Sequence, residues 1–115
     1  FDKRLGRQLL TAPARLEFLH ESPRQWPAWN MDWKDRRQAP VAFMDENAAV
    51  RIVEQGPVRA TLEVSRQGRD SRIVQRISLA AGEAGRRIEV DNRIDWQSTG
   101  VSLKAAFPLA AARGL

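Results

Sequence analysis

The stretch from Gly56 to Leu79, GPVRATLEVSRQGRDSRIVQRISL, constrains the fold more than any other part of the chain. Val58, Ala60, Leu62 and Val64 fall on one side of a period-two pattern, and Arg59, Thr61, Glu63 and Ser65 fall on the other. Successive side chains of a strand point to opposite faces, so this alternation predicts a half-buried β-strand. The run Gln67-Gly68-Arg69-Asp70 is rich in turn formers. Beyond it, Ile73, Gln75, Ile77 and Leu79 resume the inward series against Arg72, Val74, Arg76 and Ser78. The stretch therefore reads as a β-hairpin. Two strands alone are marginal in water, so the remaining residues must supply further strands and a second layer.

They do so in both directions. The segment from Phe1 to Leu10 places a charged turn around Gly6 between apolar ends, which predicts a hairpin whose first strand lies upstream of Phe1. Leu16 and Phe18 alternate with Arg15 and Glu17 in a short strand ending near His20. Val50, Ile52 and Glu54 alternate with Arg51, Val53 and Gln55 and run into a kink at Gly56-Pro57. After a turn over 80–85, Ile88, Val90, Asn92, Ile94 and Trp96 are expected inward, opposite Arg87, Glu89, Asp91, Arg93 and Asp95. Val101, Leu103, Ala105, Phe107 and Leu109 repeat the inward face, with Pro108 at the last turn of an edge strand. About six or seven strands joined by short turns, with no convincing helix, predict an all-β, antiparallel β-sandwich or part of one. At 115 residues the chain is one such domain, 1–115, or a fragment of a larger C-terminal β-domain. It opens on Phe1 and closes on Ala112-Arg113-Gly114-Leu115 without a capping pattern, and an excised piece is expected.

The pattern fails from Glu21 to Pro40. ESPRQWPAWNMDWKDRRQAP holds three of the four tryptophans and three prolines with no sustained period, and predicts a long ordered loop. Loops of this length without secondary structure of their own usually pack against something or bind something. Trp26, Trp29 and Trp33 can anchor it to a sheet edge. They can instead form platforms on which a sugar ring or a base stacks. Anchoring is the first expectation, because three large apolar side chains left in water make an exposed patch.

Composition narrows the chemistry. No cysteine and a single histidine, His20, argue against an all-protein zinc site, and His20 reads as an exposed strand-end residue. The formal charge of +5 raises nucleic acid as a partner. Against it, the basic residues are dispersed among acids, as at Arg15/Glu17, Arg59/Glu63 and Arg87/Glu89, in the manner of a solvated surface. No apolar run approaches the ~20 residues of a membrane span, so neither nucleic acid nor membrane is expected as a partner. Two carboxyl groups about 5–9 Å apart serve glycoside hydrolysis. Asp91 and Asp95 are roughly 13 Å apart at the rise of a strand, and Glu89 and Asp91, at about 6–7 Å, are flanked by Arg87 and Arg93, which would pair with them. No catalytic residue and no metal ligand is assigned, and by its residues alone the chain is a non-catalytic β-domain.

Four stretches, in order, nevertheless resemble one family. They are Phe1-Asp2-Lys3-Arg4 with Gly6-Arg7; Trp26-Pro27-Ala28-Trp29-Asn30-Met31-Asp32; Gly56-Pro57-Val58-Arg59-Ala60 with Ser71-Arg72-Ile73-Val74-Gln75; and Asp95-Trp96 with Leu103-Lys104-Ala105-Ala106-Phe107-Pro108. Together they resemble the C-terminal β-region of glycoside hydrolase family 38 α-mannosidases, above all the cytosolic and bacterial type. Pro27 and Asn30 stand where the family loop carries Asp, which removes two carboxylates. The resemblance implies a galactose-mutarotase-like β-supersandwich within an enzyme that cleaves α-linked mannose with retention. It implies a zinc ion and an aspartate nucleophile in an upstream α/β catalytic domain of the same polypeptide, and none in this stretch. The implied partners are that domain, a glycan substrate and, optionally, further copies of the chain, with a cytoplasmic location favoured by the subtype. A second reading within the same fold is an autonomous carbohydrate-binding module that uses Trp26, Trp29, Asp32 and Trp33.

Overall fold

The computed structural model describes residues 1–26 and 29–111. Its elements are β1 (Arg15–His20), the single-turn helix α1 (Trp33–Arg36), β2 (Ala42–Phe43), β3 (Glu46–Gln55), β4 (Arg59–Gly68), β5 (Ser71–Ala80), β6 (Glu89–Asp95) and β7 (Val101–Ala106). A short 3-10 helix, Gly82–Arg86, occupies the turn between β5 and β6. Every strand pairing is antiparallel, so the chain belongs to the all-β class in which sandwiches are found. Two compact units are present, Phe1–Phe43 with Gly100–Leu115, and Met44–Thr99.

The first unit carries a three-stranded sheet in the order β2-β1-β7. Its central strand holds the apolar residues Leu16, Phe18 and Leu19, all buried, with Phe18 wholly so. Glu17 stands opposite Lys104 in the register and receives its ammonium group at 3.0 Å. The Arg15 guanidinium lies 3.6 Å from the centroid of the Phe43 ring, a cation–π contact. The expected hairpin around Gly6 closes on residues of the chain itself. The amides and carbonyls of Asp2 and Arg7 exchange hydrogen bonds, Gly6 takes a φ of 62°, and the Asp2 carboxylate accepts from the Arg4 and Leu5 amides. Leu10 then bridges to Leu109.

The second unit is a meander, β3-β4-β5-β6. Its central hairpin is the one the alternation predicts, and pairing runs unbroken from Arg59↔Ala80 to Gly68↔Ser71. The two-residue loop is Arg69-Asp70, with φ of 47° and 63°. Two consecutive positive φ values match the right-handed twist of the flanking strands, as in a type I′ turn, although glycine and asparagine are the residues that adopt them without strain. Because partners across an antiparallel pair share a face, the register sorts the side chains. Val50, Ile52, Leu62, Val64, Ile73, Ile77, Leu79, Val90 and Ile94 lie on one face, and Arg51, Glu63, Thr61, Arg76, Ser78 and Asp91 on the other.

Three expectations need correction. The alternation assigns the faces of β4, β5 and β6 correctly, but the apolar face is largely exposed: Val64 and Ile73 are buried on it, whereas Leu62, Leu79, Val90 and Ile94 are not, nor is Val58 beside it. Phe107 and Leu109, expected inward, are also exposed. The period-two alternation of β3 places Glu54 on the face of Ile52, and the structure does not. A bulge between Ile52 and Glu54 makes Val53 an extra residue, so Glu54 pairs with Thr61 and sits on the polar face. The loop over 21–40 does contain a turn of helix, and β2 follows it; two-residue strands and four-residue helices carry too few residues to display a period.

Candidate functional site

The tryptophan loop is fixed at its base by two aspartates. Asp35, in α1, is 2% exposed, and its carboxylate accepts the Ser22 amide at 2.9 Å, tying the helix to the exit of β1. The Glu21 amide donates to the Gly100 carbonyl at 3.0 Å, which holds the same exit against β7. Asp32 is the residue preceding the helix, and its carbonyl accepts from the Asp35 and Arg36 amides. Its carboxylate receives the Arg24 amide and the Asn30 side-chain amide, both at 3.4 Å. The Trp29 and Asn30 amides both donate to the Trp26 carbonyl at 2.9 Å. Pro27 and Ala28, which belong to the family-like loop motif, lie outside the described residues, as does the chain end from Ala112.

The side chains that this scaffold presents are the tryptophans. Trp26, Trp29 and Trp33 are 71%, 90% and 69% exposed, which overturns the expectation that they anchor the loop to a sheet edge. Anchoring is done by the Asp35 carboxylate instead, a residue that sequence reasoning passed over because a single aspartate in a charged stretch gives no sign of burial. His20 is exposed at the end of β1, as expected.

The polar face of the four-stranded sheet is the other concentration of chemistry. Arg51, Glu63, Arg76 and Asp91 stand in one cross-strand row. Glu63 accepts from Arg51 Nε at 2.9 Å and from Arg76 Nε at 3.0 Å. The Arg51 hydrogen bond, then that of Arg76, holds the Glu63 carboxyl below its ordinary range. One row along, Glu54 accepts from Arg59 Nη2 at 2.8 Å and from the Thr61 hydroxyl at 2.6 Å, and the Arg59 bond, followed by that of Thr61, likewise lowers its pKa. The Thr61 proton is committed to Glu54, so the Ser78 hydroxyl, 2.8 Å away, donates to Thr61. General acid catalysis of glycoside cleavage needs a carboxyl group with a raised pKa, and these two are held as anions. Of the expected pairings around β6, Arg87–Glu89 forms at 2.8 Å. Among the described residues no group of three or more His, Cys, Asp or Glu side chains could hold a metal ion. Among them also, no helix is long and apolar enough to cross a membrane.

These features define an antiparallel β-domain whose charged side chains are paired into ladders and whose exposed aromatic residues sit on a buttressed loop. The chain belongs to glycosyl hydrolase family 38: the sequence model described as "Glycosyl hydrolases family 38 C-terminal domain" matches residues 1–113. No curated protein and no solved structure matches it.

Proposed function

We propose that this chain is a non-catalytic part of the C-terminal β-domain of an α-mannosidase-like glycoside hydrolase, whose parent enzyme cleaves α-mannosides with retention. The observation that carries the reading is the family match over residues 1–113. On this reading the chain is one piece of a galactose-mutarotase-like supersandwich. The zinc ion and the aspartate nucleophile belong to an upstream α/β domain of the parent, in keeping with the Arg-paired, anionic state of Glu54 and Glu63. The role left to this stretch is to support that domain and line its cleft. The test is hydrolysis of an aryl α-mannoside by the purified chain and by the chain joined to the polypeptide upstream of it. The chain alone should give no turnover with or without added zinc, and the longer protein should turn over in a zinc-dependent way. Turnover by the chain alone, or none by the longer protein, would refute the proposal.

A second reading has a specific observation behind it, the exposure of all three loop tryptophans. Indole rings in water cost free energy unless a ligand covers them, and a pyranose ring offers a flat C–H face of matching size. As a carbohydrate-binding surface the loop would use Trp26, Trp29 and Trp33 for stacking. Asp32 would contribute through the turn it organises. Titration with mannobiose should quench or shift tryptophan fluorescence, and Trp29→Ala should abolish the change. A flat titration at tens of millimolar sugar removes this reading.

A further inference from the structure

The charged face of the four-stranded sheet carries a trough. Ala49 on β3, Ser65 on β4 and Val74 on β5 stand opposite one another in the register, and these small side chains lie between two rows of long ones. On one side are Arg51, Glu63 and Arg76, and on the other Gln67 and Arg72. Hollows of about 270 Å³ and 290 Å³ open along this floor and share Glu63 and Val74 in their lining. The charged face is also the one that a larger antiparallel β-domain leaves in water, since such sheets bury one side and solvate the other. The donors around the first hollow are only partly engaged. Arg51 commits Nε and Nη2 to Glu63 Oε1, at 2.9 Å and 2.7 Å, which fixes its guanidinium and leaves the Nη1 edge for a second acceptor. Among the described residues the Arg72 guanidinium and the half-buried Ser65 hydroxyl have no ion-pair or hydrogen-bond partner. Asp95, opposite Arg72 in the register, is engaged by the Gln97 side-chain amide at 2.8 Å instead.

We infer that this hollow binds a tetrahedral oxyanion, phosphate or sulfate, borne as an ester on a small organic molecule. Arg51 and Arg72 stand diagonally across Ser65, one on each side of the floor, and all three line the hollow. Two guanidinium groups and a hydroxyl thus present donors from three directions, which suits a tetrahedral group better than a planar carboxylate. The charge agrees. Arg51 and Arg72 outnumber Glu63, the hollow's one carboxylate, whereas elsewhere on the same face Arg59–Glu54 and Arg87–Glu89 are matched one to one. The organic part of the ester would lie over Val74, the apolar end of the floor, toward the second hollow and Arg93.

Titration of the isotope-labelled chain with phenyl phosphate at fixed ionic strength, followed by amide NMR shifts, tests the inference. Saturable shifts centred on Ser65, Arg72 and Val74 are expected, with Kd on the order of millimolar for a site open to water. Inorganic phosphate and sulfate should shift Ser65 and Arg72, and acetate should bind roughly 10-fold more weakly than either. Arg72→Gln should weaken phenyl phosphate binding by about 10-fold or more and Ser65→Ala by about 3-fold. Arg86→Gln, at a side chain paired with Glu83 in the turn before β6, should leave it unchanged. If Arg72→Gln fails to fold by far-UV circular dichroism, Arg72→Lys keeps the charge, loses the planar fork and serves the same comparison, with a smaller weakening expected. No saturable shift up to tens of millimolar, or shifts centred elsewhere, would overturn the inference. So would acetate binding as tightly as phosphate, or Arg72 variants that bind like the parent. Binding of inorganic phosphate without phenyl phosphate would overturn it equally, since the organic part would then find no room over Val74.

Discussion

Ser71→Ala should be the most damaging single-atom change in the second unit, and the hydrogen bonds say why. Ser71 is 2% exposed at the start of β5. Its Oγ accepts the Gln97 amide at 2.9 Å and the Ser98 amide at 3.0 Å, and lies 2.7 Å from Ser98 Oγ. Ser98 Oγ gives its proton to the Arg69 carbonyl at 2.6 Å, so the Ser71 hydroxyl must be the donor in the serine pair. The Ser71 oxygen thus uses one proton and two lone pairs, its full capacity. Removing it leaves two backbone amides without an acceptor, one buried and one partly so, at ~1–3 kcal/mol for each donor that water cannot reach. The expected loss is about 2–4 kcal/mol. Ser98→Ala removes the donor to a turn carbonyl and the acceptor of the Ser71 hydroxyl but leaves both backbone amides bonded, and should cost less, about 1–2 kcal/mol. Urea denaturation followed by far-UV circular dichroism gives both values from shifts in the midpoint at constant slope. The reasoning is refuted if Ser71→Ala costs under ~0.5 kcal/mol, or if Ser98→Ala costs as much as Ser71→Ala.

Asp70→Gly should stabilise the chain by about 0.5–1 kcal/mol, because Asp70 holds a φ of 63° that glycine takes without strain; a lower urea midpoint would contradict it. Phe18→Ala, at a side chain with no exposed surface, should cost about 3–5 kcal/mol by the same assay, and a cost near 1 kcal/mol would mean the site collapses around the missing ring. The lowered pKa of Glu63 gives a signed pH dependence. Its folded-state pKa lies below the unfolded one, so its contribution is complete above the ordinary carboxylate value of ~4.3 and is lost as pH falls through the depressed value. The melting temperature of the parent chain should therefore fall more steeply on acidification than that of Glu63→Gln, and parallel profiles would show that the Arg51–Glu63–Arg76 bridge is energetically silent.

How much of this was legible before the structure depends on the range of the interaction concerned. The hairpin from β4 to β5 was readable because period-two alternation and a turn are local, and faces assigned from it agree with the register. Burial was not, since alternation reports which side a residue is on and says nothing about what covers that side; Leu62 and Leu79 carry the same sequence signature as the buried Val64 and Ile73. The ion pairs show the same limit. Arg51 is three positions from Glu54 and Arg59 four from Glu63, yet Arg51 pairs with Glu63 and Arg59 with Glu54. Cross-strand register and the Val53 bulge decide those partners, and neither can be seen in a linear charge pattern. In the tryptophan loop the aromatic residues were visible, while the Asp35 carboxylate that holds the loop was not, because its partner is the backbone amide of Ser22, thirteen positions away.

The bulge at Val53 has a further meaning for how the chain tolerates changes of length. Upstream of it Arg51 faces Glu63 and Ile52 faces Leu62; downstream Glu54 faces Thr61 and Gln55 faces Ala60. Val53 is the one residue of slack between these two frames. Deleting it would close the ladder into regular pairing and keep all four of those partnerships, whereas deleting a residue of the unbulged β4 would exchange the apolar and charged faces of everything on one side of the cut. Strand β3 can therefore lose a residue at this point and keep its two faces, and β4, at the centre of the hairpin, cannot.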